Sequence, residues 1–301
     1  MNLKIKIGQL QLNSPILCAS GTFGISDELK GLVDYRNIGA VIAKTITLKP
    51  RAGNPPPRIY ETECGVLNSV GLQGPGVDGF IKDHLPNLEK LPTEFIVSIG
   101  ADSLSEYKKA LSKIAARGEV KAIEINLSCP NIKNKKIVAQ DAKMTLATMK
   151  ALRAITKKTL IAKISPEVTD IVEIAKAVKS SGADALSLVN TFFGLAINID
   201  TKKPYLGNTY GGYSGRAIRP LSLYRVWRVA KKVKIPIIGG GGIETAKDAI
   251  EFLLAGATAV SLGTVNLVDP NAAKNILAGI KKYMKAKKIG DIKKLTGGLD
   301  G

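Results

Sequence analysis

A thiol flanked by two amides is the feature of this chain best suited to chemistry: Asn126-Leu127-Ser128-Cys129-Pro130-Asn131. The run before it, Ala122-Ile123-Glu124-Ile125, is short, apolar and β-branched, and Pro130 has no N–H for a ladder hydrogen bond, so a buried strand should end here. A cysteine at such a strand mouth faces a ligand. As a thiolate Cys129 is a base or a nucleophile, and Asn126 and Asn131 offer donors and acceptors to a planar polar substrate. The plain alternative is a small buried thiol beside a turn, and the rest of the chain decides between them.

Two lysines strengthen the chemical reading. Lys44 and Lys163 each close an otherwise apolar run, and a cation in that setting needs an anionic or hydrogen-bonding partner. A bound anion would supply it; snorkelling to solvent or a pair with Glu124 are the alternatives. Other groups fit chemistry less well. His84, the sole histidine, stands in Asp83-His84-Leu85-Pro86 with no serine and aspartate around it to form a triad, and reads as a surface helix end. Glu61, Glu63 and Cys64 lack metal-ligand spacing and read as part of a lid. The three cysteines are far apart and odd in number, so free thiols are expected rather than disulfides or a zinc site.

The elements that must position these residues alternate. Apolar strand candidates run from Pro15 to Ser20, Ala40 to Thr45, Phe95 to Gly100, Ala122 to Ser128, Leu160 to Ser165, Ala185 to Asn190, Ile235 to Gly240 and Ala259 to Thr264. Amphipathic helical patterns lie between them, at Ser103 to Arg117, Ala139 to Thr156, Val168 to Ser181, Leu221 to Lys232 and Ala246 to Ala255. Eight such units predict a closed parallel (β/α)8 TIM barrel, with an open doubly wound sheet as the alternative. The alternation Leu3-Lys4-Ile5-Lys6-Ile7-Gly8-Gln9-Leu10-Gln11-Leu12 predicts an N-terminal hairpin. Two connections are too long for simple βα loops: Pro50 to Gly76 after the second strand and Phe192 to Arg219 after the sixth, the latter with an extra hairpin expected between Ile197 and Gly207. Both insertions leave the C-terminal face, where barrel enzymes build their sites.

That assignment gathers polar residues on one rim: Ser20 and Gly21 after strand one, Lys44 and Thr45 at strand two, Asn126 and Cys129 at strand four, Lys163 at strand five, Asn190 and Thr191 at strand six. The last two strands end in Gly239-Gly240-Gly241-Gly242 and Leu262-Gly263-Thr264. Glycines there let several backbone N–H groups approach a phosphate, and the loops after strands seven and eight are where barrels often hold one.

Composition sets bounds. With 301 residues, 45% of them hydrophobic, and no composition break, the expectation is one domain over residues 1–301. Neither a signal peptide nor an apolar run of spanning length is apparent, so a soluble, cytoplasmic protein is expected. The net charge of +19 is spread over many segments, and aromatic residues make up only 5% of the chain, which argues against nucleic acid and for an acidic substrate or protein partner.

The ordered motifs resemble those of the class 1 dihydroorotate dehydrogenases: Ser14-Pro15-Ile16-Leu17-Cys18-Ala19-Ser20-Gly21-Thr22-Phe23-Gly24, Lys44-Thr45-Ile46-Thr47, Asn68-Ser69-Val70-Gly71-Leu72-Gln73, the Cys129 segment, Lys163-Ile164-Ser165-Pro166, Val189-Asn190-Thr191 and the terminal glycine motifs. Cys129 is similar to the class 1 catalytic cysteine; the membrane-associated class 2 enzymes have serine there. The segment Asn68 to Gly76 looks more like the NAD-linked class 1B catalytic subunit than the fumarate-linked class 1A homodimer.

The resemblance implies oxidation of dihydroorotate to orotate in pyrimidine biosynthesis, with Cys129 removing a proton from C5 while hydride leaves C6 for N5 of FMN. It implies that Lys44, Asn68, Ser69, Val70, Gly71, Leu72, Asn126, Asn131, Asn190 and Thr191 bind substrate. Ser20, Gly21, Lys44, Thr45, Asn126, Lys163 and Val189 would line the flavin, with Gly215, Gly241, Gly242, Gly263 and Thr264 toward its phosphate. It further implies a homodimer core within a heterotetramer, whose second subunit carries FAD and a 2Fe-2S cluster. This chain has neither a cysteine quartet nor a strand-linked GxGxxG fingerprint, which agrees with that division of labour. Ser98, where relatives commonly have asparagine, and Arg216, where they often have proline, leave local flavin contacts open. The alternatives are a related flavin barrel reducing another pyrimidine and a noncatalytic flavin- or nucleic-acid-binding barrel.

Overall fold

The computed structural model describes residues 1–128 and 138–300. Eight parallel strands close into a barrel: β1 (Ile16–Cys18), β2 (Ala40–Ile42), β3 (Glu94–Ile99), β4 (Ala122–Asn126), β5 (Thr159–Lys163), β6 (Ala185–Leu188), β7 (Ile237–Gly240) and β8 (Ala259–Leu262). Each pairs with its sequence neighbour, and Leu262 of β8 meets Cys18 of β1 to close the ring, so the open-sheet alternative is excluded. The strands read as unbroken apolar runs because helices cover them outside and the packed barrel core fills them inside. Several end earlier than the apolar runs do. Ser20, Lys44 and Thr45 therefore stand on the loops just past β1 and β2 rather than within strands.

The hairpin Ile5–Ile7 and Leu10–Leu12 buries Ile5, Ile7, Leu10 and Leu12 and exposes Lys6 and Gln11. Its turn is tied to the start of β5 by Gln9 N–H donating to Thr159 Oγ1 at 2.9 Å, so it caps the N-terminal end of the barrel. Helices at Leu104–Ala115, Ala142–Arg153, Ile171–Ser180, Arg219–Lys232 and Ala246–Leu254 occupy the expected places. Ser103, Asp141, Asp170 and Thr245 each cap a helix by accepting from a first-turn N–H, worth about 1 kcal/mol apiece. Additional helices lie at Gly76–Gly79, Leu85–Glu89 and Ala272–Ala286.

The two long insertions form one object. Ile59–Thr62 and Gly65–Asn68 from the first pair with Phe192–Gly194 and Gly211–Ser214 from the second in a four-stranded antiparallel sheet. The extra hairpin is present as Ile197–Asn198 against Lys203–Pro204. Tyr60 stacks on Tyr205 with ring centroids 4.0 Å apart, and Asn208 Nδ2 donates to Ser69 Oγ at 3.1 Å, pinning one insertion to the other.

Candidate functional site

Between the C-terminal ends of the barrel strands and this sheet lies a cavity of about 590 Å³. Every described residue with an expected site role lines it. Ser20 and Gly21 enter from the loop after β1, Lys44 and Thr45 from that after β2, Asn126 from the end of β4, Lys163 from the end of β5, and Val189, Asn190 and Thr191 from beyond β6. Asn68, Ser69, Val70, Gly71 and Leu72 come down from the first insertion, and Gly215, Gly241, Gly242, Gly263 and Thr264 form the side next to β7 and β8. Cys129 and Asn131 lie outside the described residues. Ser128, which precedes the cysteine, does line the cavity.

Amides organise the part of the cavity beside β4. Asn190 Nδ2 donates to Asn126 Oδ1 at 3.4 Å, and the same oxygen accepts from the Ser128 N–H at 3.2 Å. Asn190 Oδ1 accepts from the Thr191 N–H at 2.8 Å, and Asn68 Nδ2 donates to the Gly212 carbonyl at 3.2 Å. These bonds fix which way the amide faces turn. Ser128 Oγ is buried with no hydrogen-bond partner among the described residues, a polar atom that a ligand would satisfy.

Lys44 and Lys163 are both half-buried and neither is ion-paired among the described residues. Burial, and after it the positive charge of Arg58, lowers the Lys44 ammonium below the usual lysine value. An anionic ligand would reverse that penalty. Neither lysine pairs with Glu124 among the described residues; that carboxylate is fully buried and accepts from Ser98 Oγ at 2.9 Å. Cys18 sits in the barrel core, where burial pushes its thiol far up and leaves it inert.

On the glycine side, Gly241 and Gly242 adopt φ of +118° and +79°. A Cβ on Gly242 would stand 2.8 Å from both Arg219 N and the Gly215 carbonyl, so only hydrogen fits where the loop after β7 meets the start of helix Arg219–Lys232. Thr264 Oγ1 donates to Ser214 Oγ at 2.9 Å and joins the loop after β8 to the insertion sheet. The glycine backbone, together with two cations and a hydroxyl that have no partner among the described residues, suits a phosphorylated heteroaromatic cofactor and a small anionic substrate.

Some lining residues escaped the sequence reading. Arg51 and Asp102 form an ion pair at the cavity edge, and Asp102 follows the end of β3, a position that could have flagged it. Asn54, Ser187, Asn208 and Ser261 also line the wall. His84 does not, standing instead with Nδ1 3.4 Å from Ser26 Oγ. Arg216 is exposed beside the Glu63 carbonyl, and Ser98 lies beneath the cavity rather than on its wall. The described residues hold no cluster able to bind a metal and no helix long and apolar enough to cross a membrane.

Comparison with known proteins agrees with this geometry. A family model described as dihydroorotate dehydrogenase matches residues 2–284. The dihydroorotate dehydrogenase B (NAD(+)) catalytic subunit of Trichlorobacter lovleyi is 47% identical over 300 residues, 99% of each chain. Its counterpart from Desulforamulus reducens is 47% identical over 298 residues, covering 99% of this chain and 98% of that one. Among solved structures, a dihydroorotate dehydrogenase from Eimeria tenella in complex with ferulenol superposes with a TM-score of 0.81 at 23% identity, over 99% of this chain and 88% of that one, a likeness of fold.

Proposed function

Because the chain belongs to the dihydroorotate dehydrogenase family, we propose that its cavity oxidises dihydroorotate to orotate for pyrimidine synthesis, as the NAD-linked catalytic subunit. The observation that carries the proposal is convergence: residues dispersed from Ser20 to Thr264 line one cavity that fits FMN and a carboxylated pyrimidine.

FMN, when bound, supplies an acceptor for hydride at N5. The chain does the rest. Lys44 is the cation for the substrate carboxylate, and the amides of Asn68, Asn126 and Asn190 hold the ring at its polar edge, together with Thr191 and the Ser69-to-Leu72 backbone. Asn131 completes that set from outside the described residues. Cys129, which directly follows the Ser128 whose N–H fixes the Asn126 carboxamide, takes the proton from C5. With FMN bound, Lys163 would supply a positive charge favouring the reduced flavin, and Ser20, Gly21, Thr45 and Val189, which line the same cavity, would hold its ring. Backbone N–H groups around Gly215, Gly241, Gly242 and Gly263, with the Thr264 hydroxyl, would receive its phosphate. The sheet made by the two insertions keeps water from the reacting atoms.

We assign one FMN-binding barrel domain to residues 1–301, acting in the cytoplasm as a homodimer core within a heterotetramer. The electrons leave through a second subunit carrying FAD and a 2Fe-2S cluster, since the chain has three cysteines and no dinucleotide fingerprint. Reconstitution tests this. The FMN-loaded chain alone should form NADH poorly from dihydroorotate, and the added partner should restore it. Efficient NAD reduction by the FMN-only protein refutes the partner, and efficient fumarate reduction moves the chain to the homodimeric class 1A.

A further inference from the structure

Beneath the cavity runs a line of four side chains joined end to end. Ser98 Oγ donates to Glu124 Oε1 at 2.9 Å, Ser98 Oγ and Thr45 Oγ1 are 2.9 Å apart, and Thr45 Oγ1 and Ser20 Oγ are 3.1 Å apart. Glu124 and Ser98 are fully buried opposite each other on β4 and β3, Thr45 is 7% exposed, and Ser20 and Thr45 are on the cavity wall. Among the described residues, Glu124 Oε2 has no partner and this carboxylate meets polar groups through that one chain.

A hydroxyl has one hydrogen to give. Ser98 spends its hydrogen on Glu124 and must accept from Thr45; Thr45, its hydrogen now spent, must accept from Ser20. Ser20 is then left with lone pairs toward the cavity. Each link fixes the next, and in a low-dielectric interior the bonds polarise one another.

We propose that Glu124 is a positioning residue which, through Ser98 and Thr45, holds Ser20 as a hydrogen-bond acceptor toward the flavin bound in the cavity. The proposal rests on the FMN reading above. A flavin edge nitrogen accepts hydrogen bonds when oxidised and carries hydrogen when reduced, so a wall held as acceptor favours the reduced ring. No bond to carbon changes and no proton is transferred; the carboxylate sets the direction in which hydroxyl hydrogens point. Ser98 then matters for its hydroxyl, and its place beneath the cavity explains how it influences the flavin without touching it.

The test is the FMN reduction potential of the loaded protein, with FMN affinity in the oxidised state measured alongside. Ser98→Ala cuts the chain and leaves the carboxylate charge in place. It should shift the ratio of reduced to oxidised flavin about tenfold toward oxidised, one hydrogen bond's worth, which lowers a two-electron potential by about 30 mV. Thr45→Val cuts the same chain one link nearer the flavin and also leaves the carboxylate in place, so it should lower the potential as Ser98→Ala does, and the double variant should lie no lower than either single one. Ser98→Thr, which keeps the hydroxyl, should retain the wild-type potential. An unchanged or raised potential in Ser98→Ala or Thr45→Val overturns the proposal. Failure of the wild-type chain to hold FMN would instead defeat the functional reading beneath it.

Discussion

Replacing Gly242 by alanine should cost both fold stability and FMN affinity, whereas the same change at Gly263 should cost little stability. At φ +79° Gly242 is in the left-handed region, where a side chain costs roughly 1–2 kcal/mol. The new Cβ would also lie 2.8 Å from Arg219 N, Arg219 Cβ and the Gly215 carbonyl, two of them backbone atoms and one of these the first nitrogen of helix Arg219–Lys232. Relieving that overlap means moving a helix end, an overpacking cost of about 1–3 kcal/mol. The sum is about 2–5 kcal/mol, or ~4–10 °C in Tm at about 2 °C per kcal/mol for a large domain. A Cβ on Gly263 meets nothing within 4 Å. Thermal unfolding without FMN reads the stability term, and fluorescence titration with FMN reads the displaced cradle. If Gly242→Ala melts and binds FMN like the wild type, the cradle is misassigned.

Three further variants probe the cavity. Lys44→Met should weaken orotate binding about 10- to 100-fold, the worth of a charge-assisted contact, and equilibrium titration of the flavin spectrum measures it. Because burial and Arg58 lower the Lys44 ammonium, wild-type orotate affinity should fall as pH rises, starting below the ordinary lysine value of 10.5, and Lys44→Met should lose that limb of the profile. Lys163→Met should lower the FMN reduction potential, and an unchanged potential with unchanged FMN affinity would remove Lys163 from the flavin. Cys129→Ala should keep FMN yet bleach far more slowly with dihydroorotate; near wild-type reduction rates would falsify the base assignment.

The barrel was legible because buried parallel strands are continuous apolar runs, and Ala122-Ile123-Glu124-Ile125 needs no knowledge of its neighbours to be read as one. The rim residues followed, since a strand's end fixes which side chains reach the C-terminal face. The insertion sheet was not legible. Its strands include Gly211-Gly212-Tyr213-Ser214, with weak strand propensity, and pair segments such as Val66 and Ser214 that lie far apart in the chain. The relay was half visible: alternation turns Glu124 inward between Ile123 and Ile125, but its partner depends on the β3–β4 register that sets Ser98 opposite it. Asp102 was readable from its place just past β3, but its pairing with Arg51 of the first insertion is a tertiary fact.

The central claim is that this chain carries its own dihydroorotate-oxidising flavin site. Anaerobic mixing of the purified, FMN-loaded chain with dihydroorotate tests it most directly, with flavin absorbance and orotate followed together and no partner or NAD present. The account predicts that the flavin bleaches and that one orotate appears for each flavin reduced. A flavin that stays yellow under excess dihydroorotate, in protein that retains FMN, would contradict it.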